Sequence, residues 1–300
     1  MKRLLIVYNS RSSRYADVAE EVLRPARELK GYLVGKYEVE KTDLEQNVVK
    51  LAGLLQNGDR VVAAGGDATA VIAVNAIMTS GMDVELAVLP YGNFNDLART
   101  LRIKKFADAV EGKVRKLYPL EILVDGKHVR YATCYVTVGM MAEAVKLYDG
   151  KKMRRVLKSW WGRYVGAYWY LAGWYFKNRR KKTFVPEFRL NGALQKGRVS
   201  DYVAVNGRSM ARVMRGYDDW GRAEIFRHEV GKLTSFWRLA GFMLRSMVVR
   251  VPGVETGGDK LELVEPGRIK MQAEGEMIVM DGVRKVEVMK GDKWIKVVTG

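Results

Sequence analysis

One cysteine, Cys134, stands among 300 residues. No internal disulfide can form, and nothing demands an oxidising compartment. Long apolar runs are missing too. The longest uncharged stretch of interest, Tyr164 to Phe176, has thirteen residues, short of the roughly 20 that a membrane-spanning helix needs. The apolar run behind Met1-Lys2-Arg3 ends after five residues, Leu4 to Tyr8, below the roughly 7–15 of a signal-peptide core. It reads as a first buried strand, and a cytoplasmic location is the default expectation. Acidic residues are in deficit: 34 Asp and Glu face 52 Lys and Arg, a net charge of +18. That imbalance attracts phosphate-bearing partners, whether nucleotides, nucleic acid or anionic lipid headgroups. Low-complexity segments are absent, and 48% apolar with 29% charged residues excludes a disordered chain or a fibrous repeat.

What is present falls into two grammars. Over the first 110 residues, a short apolar run is followed by a loop of small and polar residues and then a helical period. Leu4–Tyr8 leads through Asn9-Ser10-Arg11-Ser12-Ser13 into a helix from about Tyr15 to Lys30. Arg60–Ala64 leads through Gly65-Gly66-Asp67 into a helix over about Ala68 to Met78. Val84–Leu89 leads through Pro90-Tyr91-Gly92-Asn93-Phe94-Asn95 into a third helix near Asp96. Continuous apolar strands between helices predict a doubly wound parallel sheet. After Pro119 the pattern becomes antiparallel β: Val129–Val138 alternates, Asn191-Gly192 marks a hairpin, and Ile269–Met280, Val283–Met289 and Lys293–Val298 read as strands. The fold class expected is therefore α/β plus β. Residues 1–118 form the α/β domain, with a strand from 286–300 returning to it. Residues 119–285 form a β-sandwich-like domain, with helical insertions near 153–177 and 232–249.

The loops carry chemistry. In Gly65-Gly66-Asp67-Ala68-Thr69, two glycines let a backbone approach phosphate, the N–H groups and dipole of the following helix stabilise its charge, and Thr69 adds a hydroxyl. Asp67 suits a metal or hydrogen-bond organiser, although the same residues also describe a tight turn with Asp67 as N-cap. Gly92, Asn95 and Asp96 repeat the logic thirty residues on, and Asn9 closes the first strand in the same crevice. Neither a Walker P-loop nor G-x-G-x-x-G is present.

These residues resemble a known family. Ala63-Ala64-Gly65-Gly66-Asp67-Ala68-Thr69 is similar to the G-G-D-G-T signature of the diacylglycerol kinase catalytic family. Leu89 to Arg99 looks like its P-x-G-T-x-N-D-F-A-R segment, and Glu274-Gly275-Glu276 its D-G-E. Asn95-Asp96 with Ala98-Arg99 favours the lipid-kinase branch over the NAD kinases of the same superfamily. The departures are Ala68 for the third Gly, Asn93 for Thr, Glu274 for Asp, and Ser10 after Asn9 where Pro is usual. A helical φ at Ala68 would be harmless, whereas a positive φ there would strain the phosphate loop.

The resemblance implies ATP- and Mg²⁺-dependent phosphorylation of a hydroxyl on diacylglycerol or a related glycerolipid, ether lipids included, in a cleft between the two domains. A soluble acceptor such as NAD, or a catalytically degenerate binding protein, is the alternative. It implies nucleotide binding by Asn9, Ser10, Gly65, Gly66, Asp67, Ala68, Thr69, Gly92, Asn93 and Asn95. Asp67 and Asp96 would organise the metal, with Glu121 and Glu274 as further candidate ligands, and Glu276 would be the catalytic base. Glu121 also fits a solvated strand-end carboxylate. Asp218-Asp219-Trp220-Gly221 reads as a turn rather than a metal site.

Eleven Lys or Arg and no acidic residue fall between Lys151 and Lys182, with nine aromatic residues from Trp160 to Phe176. Cations flanking Trp and Tyr describe a helix lying in a membrane interface; a helix packed on the β domain is the plainer possibility. Single-stranded nucleic acid is the rival partner, disfavoured because the aromatics follow a helical period and no nucleic-acid motif accompanies them. The expected partners are thus a lipid substrate and the anionic inner face of a membrane, reached peripherally through 151–182, with room for a homodimer.

Overall fold

The computed structural model describes residues 2–92, 94–139, 187–195, 199–207, 209–210, 214–215, 224–229 and 260–300, with isolated positions between 142 and 177. Asn93, Asp218 to Gly221, the helix expected at 232–249 and nearly all of 151–182 lie outside the described residues.

The first sheet has the order β2-β1-β3-β4-β17-β5, formed by β1 (Lys2–Tyr8), β2 (Tyr32–Glu38), β3 (Arg60–Gly65), β4 (Glu85–Pro90), β5 (Lys113–Leu117) and β17 (Ile295–Thr299). All of its pairings are parallel except β17 with β5. β1 and β3 are nearly solid Val, Ile, Leu and Ala because helices cover both faces. The connecting helices are α1 (Tyr15–Val18), running through a π turn at Ala19–Leu23 into α2 (Arg24–Arg27), then α3 (Leu44–Ala52), α4 (Asp67–Ser80), α5 (Asp96–Leu101) and α6 (Phe106–Glu111). Because β2 lies on one side of β1 and β3 on the other, the loops after β1 and β3 part company at their C-terminal ends. That divergence opens a crevice of the kind that binds ligands in open α/β sheets.

The second sheet is antiparallel, as expected for that half. Its main path is β14 (Glu224–Glu229), β11 (Val199–Val205), β8 (Tyr135–Gly139), β15 (Lys260–Ala273), β16 (Glu276–Lys290), β6 (Leu120–Val124) and β7 (Lys127–Ala132). β9 (Glu187–Leu190) pairs with β15 and with β10 (Ala193–Gln195) across the Asn191-Gly192 turn, both residues at positive φ. A two-stranded ladder joins β12 (Ser209–Met210) to β13 (Met214–Arg215).

Three local expectations are corrected. The strand read through Ile269–Met280 is two strands meeting at Glu274-Gly275, where φ values of 52° and 93° make a two-residue hairpin turn. Conversely, the break between the strands read at Ile269–Met280 and Val283–Met289 is absent at Asp281-Gly282. β16 runs through it, with Gly282 at φ 71° facing a register shift around Gly267 at φ 63°, which is a bulge in the hairpin. And Val129–Val138 breaks at Thr133-Cys134, separating β7 from β8, which pair with different strands. The segment that reaches the first sheet is 295–299, while β16 stays in the second sheet through Lys290.

Two hydrophobic clusters make the core: one, with Leu120, Ile122, Leu261, Met271 and Val286, belongs to the second sheet alone, and the larger one reaches across both sheets. Its members include Leu4, Ile6, Val62, Leu86 and Val297 from the first and Tyr131, Tyr135, Val203 and Val205 from the second. The seam carries specific polar ties. The Asn75 side chain of α4 accepts from Tyr131 N–H at 2.8 Å and donates to Tyr131 C=O at 3.1 Å, and Arg130 of β7 pairs with Glu45 of α3.

Candidate active site

Three loops meet beyond the C-terminal ends of β1, β3 and β4. Gly66 follows β3 as the N-cap of α4, with no side-chain cap, so the first amides of a fourteen-residue helix face the crevice without a side-chain acceptor from the cap residue. The Gly66 and Gly92 backbones touch: a Cβ built on Gly92 would overlap Gly66 Cα, and one on Gly66 would stand 3.3 Å from Gly92 Cα. Gly65 is held as tightly, because the Thr69 side chain fills the space where its Cβ would be. Thr69 is buried, so its hydroxyl lies against Gly65, while Ala68 is exposed. Ala68 lies within α4 and is not at positive φ. The substitution of Ala for Gly therefore strains nothing.

Asp67 joins the two phosphate-type loops. Its carboxylate accepts the backbone N–H of Asn95 at 3.1 Å and of Asp96 at 2.9 Å, capping α5 from another element. Asn95 sits at φ 56° and braces its own loop, accepting from Gly92 N–H at 2.6 Å and donating to Gly92 C=O at 2.8 Å. The Arg14 guanidinium ties the β1 loop to the β4 loop, donating to Pro90 C=O at 3.0 Å and lying 5.2 Å from the centre of the Tyr91 ring. Asn9 and Ser10 are turned into their own neighbourhood: Asn9 Oδ1 accepts from Arg11 N–H at 3.0 Å, and the Ser10 hydroxyl donates to Glu38.

The third element arrives from the second sheet. Glu274, at the tip of the β15–β16 hairpin, is 5% exposed. One of its oxygens, Oε1, accepts from Thr133 N–H at 2.6 Å, Thr133 Oγ1 at 2.5 Å and Cys134 N–H. No described residue donates to Oε2. Burial pushes this carboxyl up to about 7, against the opposing pull of the Thr133 and Cys134 donors, and the charge of Asp67 adds to the rise. Asp67 is itself raised, first by burial and then by the charge of Asp96. The Tyr135 hydroxyl and the Cys134 thiol are raised by burial and, in each case, by the charges of Asp96 and Glu274. Asp67, Asp96 and Glu274 thus converge from three elements on one region between the sheets.

Other candidates lie differently. Glu276 opens β16, is half-exposed and pairs in register with Ala273. Glu121 stands on β6 and pairs with His128 Nδ1 at 3.0 Å. Among the described residues no group of three or more His, Cys, Asp or Glu forms a cage for a metal ion. Two aspartates beside an open phosphate cradle nevertheless suit Mg²⁺, which keeps its waters and is commonly held by one or two carboxylates and the substrate's phosphates. The residues that sequence reasoning missed are Thr133, Cys134, Asn75 and Asn206, buried groups with no motif of their own; the break in alternation at Thr133 was the one available sign.

Residues 3–134 match the diacylglycerol kinase catalytic domain. Among solved structures, a diacylglycerol kinase from Bacillus anthracis str. Sterne is similar with a TM-score of 0.65 at 12% identity, over 100% of this chain and 97% of that one. A structure from the same organism, provisionally named a diacylglycerol kinase, is similar with a TM-score of 0.67 at 15% identity, over 100% and 98%. No curated protein matches the chain. At those identities the structures speak for the fold. Residues 3–134 are thus similar to a diacylglycerol kinase catalytic domain, and the chain shares its fold with these two solved structures.

Proposed function

We propose that the protein is an ATP-dependent lipid kinase that phosphorylates a hydroxyl of diacylglycerol or a related glycerolipid, ether lipids included. The observation that carries the reading is the convergence of an uncapped α4 N-terminus and the Gly66–Gly92 approach with three carboxylates from two sheets. Phosphoryl transfer asks a protein mainly for positioning and charge neutralisation, and these residues supply both. The α4 amides and the Gly65–Gly66 backbone hold the phosphates. Asp67 and Asp96 would hold Mg²⁺, which supplies positive charge against the phosphate oxygens. The acceptor oxygen attacks the γ-phosphorus, the bond from that phosphorus to the β-bridging oxygen breaks, and ADP leaves with its electrons.

The acceptor hydroxyl must lose a proton. Glu274 is best built to take it, because its Oε1 accepts three hydrogen bonds while no described residue donates to Oε2, and its burial lifts its basicity toward neutral pH. The family resemblance nominates Glu276 for the same role, and the variants below decide between them. The cations of 151–182 would hold the protein peripherally on an anionic membrane face, where the acceptor resides; no described helix is long and apolar enough to cross a bilayer.

The test is transfer of labelled γ-phosphate from ATP, with Mg²⁺, to mixed-micelle lipid extracts, to NAD and to no acceptor. A labelled organic-phase product is expected. Labelled NAD would replace the lipid with a soluble acceptor, and ATP binding without transfer to any acceptor would reduce the protein to a nucleotide-binding homologue.

A further inference from the structure

Behind Glu274 the structure places a second layer of polar groups that no motif announces. Asn206 follows β11 and is 3% exposed. Its side-chain Nδ2 donates to Tyr118 C=O at 2.7 Å and to Thr133 C=O at 3.1 Å, and the backbone N–H groups of Asn206 and Gly207 donate to Cys134 C=O at 2.7 and 3.1 Å. Two carbonyls facing one end of the amide fix which end is nitrogen. The other end, Oδ1, is buried and receives no donor from any described residue. A buried acceptor left unpaired is destabilising, so this side chain is a poor choice for stability alone.

The peptide group between Thr133 and Cys134 connects this residue to the site. Its C=O accepts from Asn206, and its N–H is the Cys134 N–H that donates to Glu274 Oε1. A peptide plane held at its oxygen is restrained against rotation about its flanking bonds, and the bond at the oxygen polarises the N–H at the other end, strengthening it by roughly 10–30%. Gly207 packs closely on Cys134: a Cβ there would stand 3.1 Å from Cys134 Sγ and 3.2 Å from its Cα, so any larger residue would need Cys134 to give by a few tenths of an ångström. β11 is thereby pressed onto the Thr133–Cys134 turn.

We propose that Asn206 is a positioning residue for the reaction: its amide, through the Thr133–Cys134 peptide, aims the Glu274 carboxylate so that Oε2 faces the acceptor hydroxyl. The proposal rests on Glu274 taking the proton. It assigns a role to a residue distant in sequence from all three loops, and it explains why a half-satisfied asparagine is kept in the core.

Because Cys134 is the only cysteine, labelling the full chain with ¹⁵N-cysteine yields one amide signal that reports the bond directly, whether or not a substrate is known. At fixed pH, N206A is expected to move the Cys134 amide proton upfield, as E274Q does. N47A, which removes an equally buried asparagine from the α3 corner, is expected to leave it in place. A Cys134 amide unmoved in N206A overturns the proposal. In the transfer assay N206A is expected to lower kcat by up to about a hundredfold with the KM for ATP unchanged, while N47A keeps its kcat at a comparable loss of Tm. The double variant N206A/E274Q is expected to be no slower than E274Q; multiplied effects overturn a route through Glu274. If E274Q transfers at the wild-type rate, the assignment of Glu274 as base fails, and the amide signal alone still decides whether Asn206 holds the peptide. Should N206A not fold, N206S, which keeps a short donor, takes its place with an intermediate amide shift expected and an unmoved amide overturning the proposal.

Discussion

At φ 52°, Glu274 holds a left-handed conformation that Asp or Asn enters more readily than Glu. The longer side chain is what lets its Oε1 reach the Thr133 and Cys134 amides from the hairpin tip. Replacing Glu274 by Gln should lower kcat by roughly 10²–10⁴ with ATP affinity kept, whereas Glu276→Gln should cost far less; the reverse ranking in the transfer assay would return the base to Glu276. The pH dependence has a definite sign. Lifted to about 7 by burial, Glu274 is protonated below that pH and gains basic form above it, so kcat/KM should climb as pH passes through 7. Because the folded state binds this proton more tightly than the unfolded chain, whose carboxyl titrates near 4.3, the folded protein should lose stability as pH rises from about 4.5 to 7. E274Q removes that dependence, so its Tm relative to wild type should rise between pH 5 and pH 8. The position of Glu274 was legible in the sequence, but its burial was not. A Glu-Gly pair is a weak hairpin signal beside Asn-Gly or Asp-Gly, and the carboxylate's partners sit some 140 positions earlier in the chain.

Among the elements, the β3–α4 and β4–α5 loops form one unit, joined where Gly66 meets Gly92 and where Asp67 caps α5. Gly92→Ala drives a methyl group into the Gly66 backbone. It should cost about 1–3 kcal/mol in stability and weaken ATP binding at least tenfold; unchanged affinity by calorimetry would separate the two loops. Ala68→Gly should leave ATP affinity unchanged, since the native residue is already helical. The long β15–β16 hairpin carries its own stabilising square of charges, with Lys260 and Lys285 each bonded to both Glu262 and Glu287. Lys260 holds the Glu262 carboxyl at about 2, well under its usual range, so this contribution is present above about pH 4.5 and fades as pH falls toward 2. The helix starts at Asp67 and Asp96 and the parallel strands were legible because local rules govern them: apolar runs, glycine turns and helical periodicity. The strand break left between Met280 and Val283 falls on an Asp-Gly pair, a turn-like dipeptide, and only the bulge opposite it, around Gly267, shows that the strand runs on.

Across the whole molecule, the larger of the two hydrophobic clusters spans both sheets, which are also stitched by Asn75 to Tyr131 and by Arg130 to Glu45. Thermal unfolding followed by calorimetry should show one transition rather than two, and Asn75→Ala, which removes the partner of the Tyr131 backbone N–H and C=O, should lower its Tm by several degrees. Two resolved transitions would mean that the seam is weaker than its hydrogen bonds suggest. The parallel sheet is also completed out of order. β4 is made by residue 90, but its neighbour β17 comes only at 295–299, and β17 must slot between β4 and β5. At about 5–20 residues per second of synthesis, the sheet waits on the order of ten seconds or more with an open, apolar edge at β4. During that interval the nascent chain offers a template to any other unpaired strand. Its yield in the cell should therefore depend on how fast the ribosome reaches the last strand and on chaperones that shield the gap until it does.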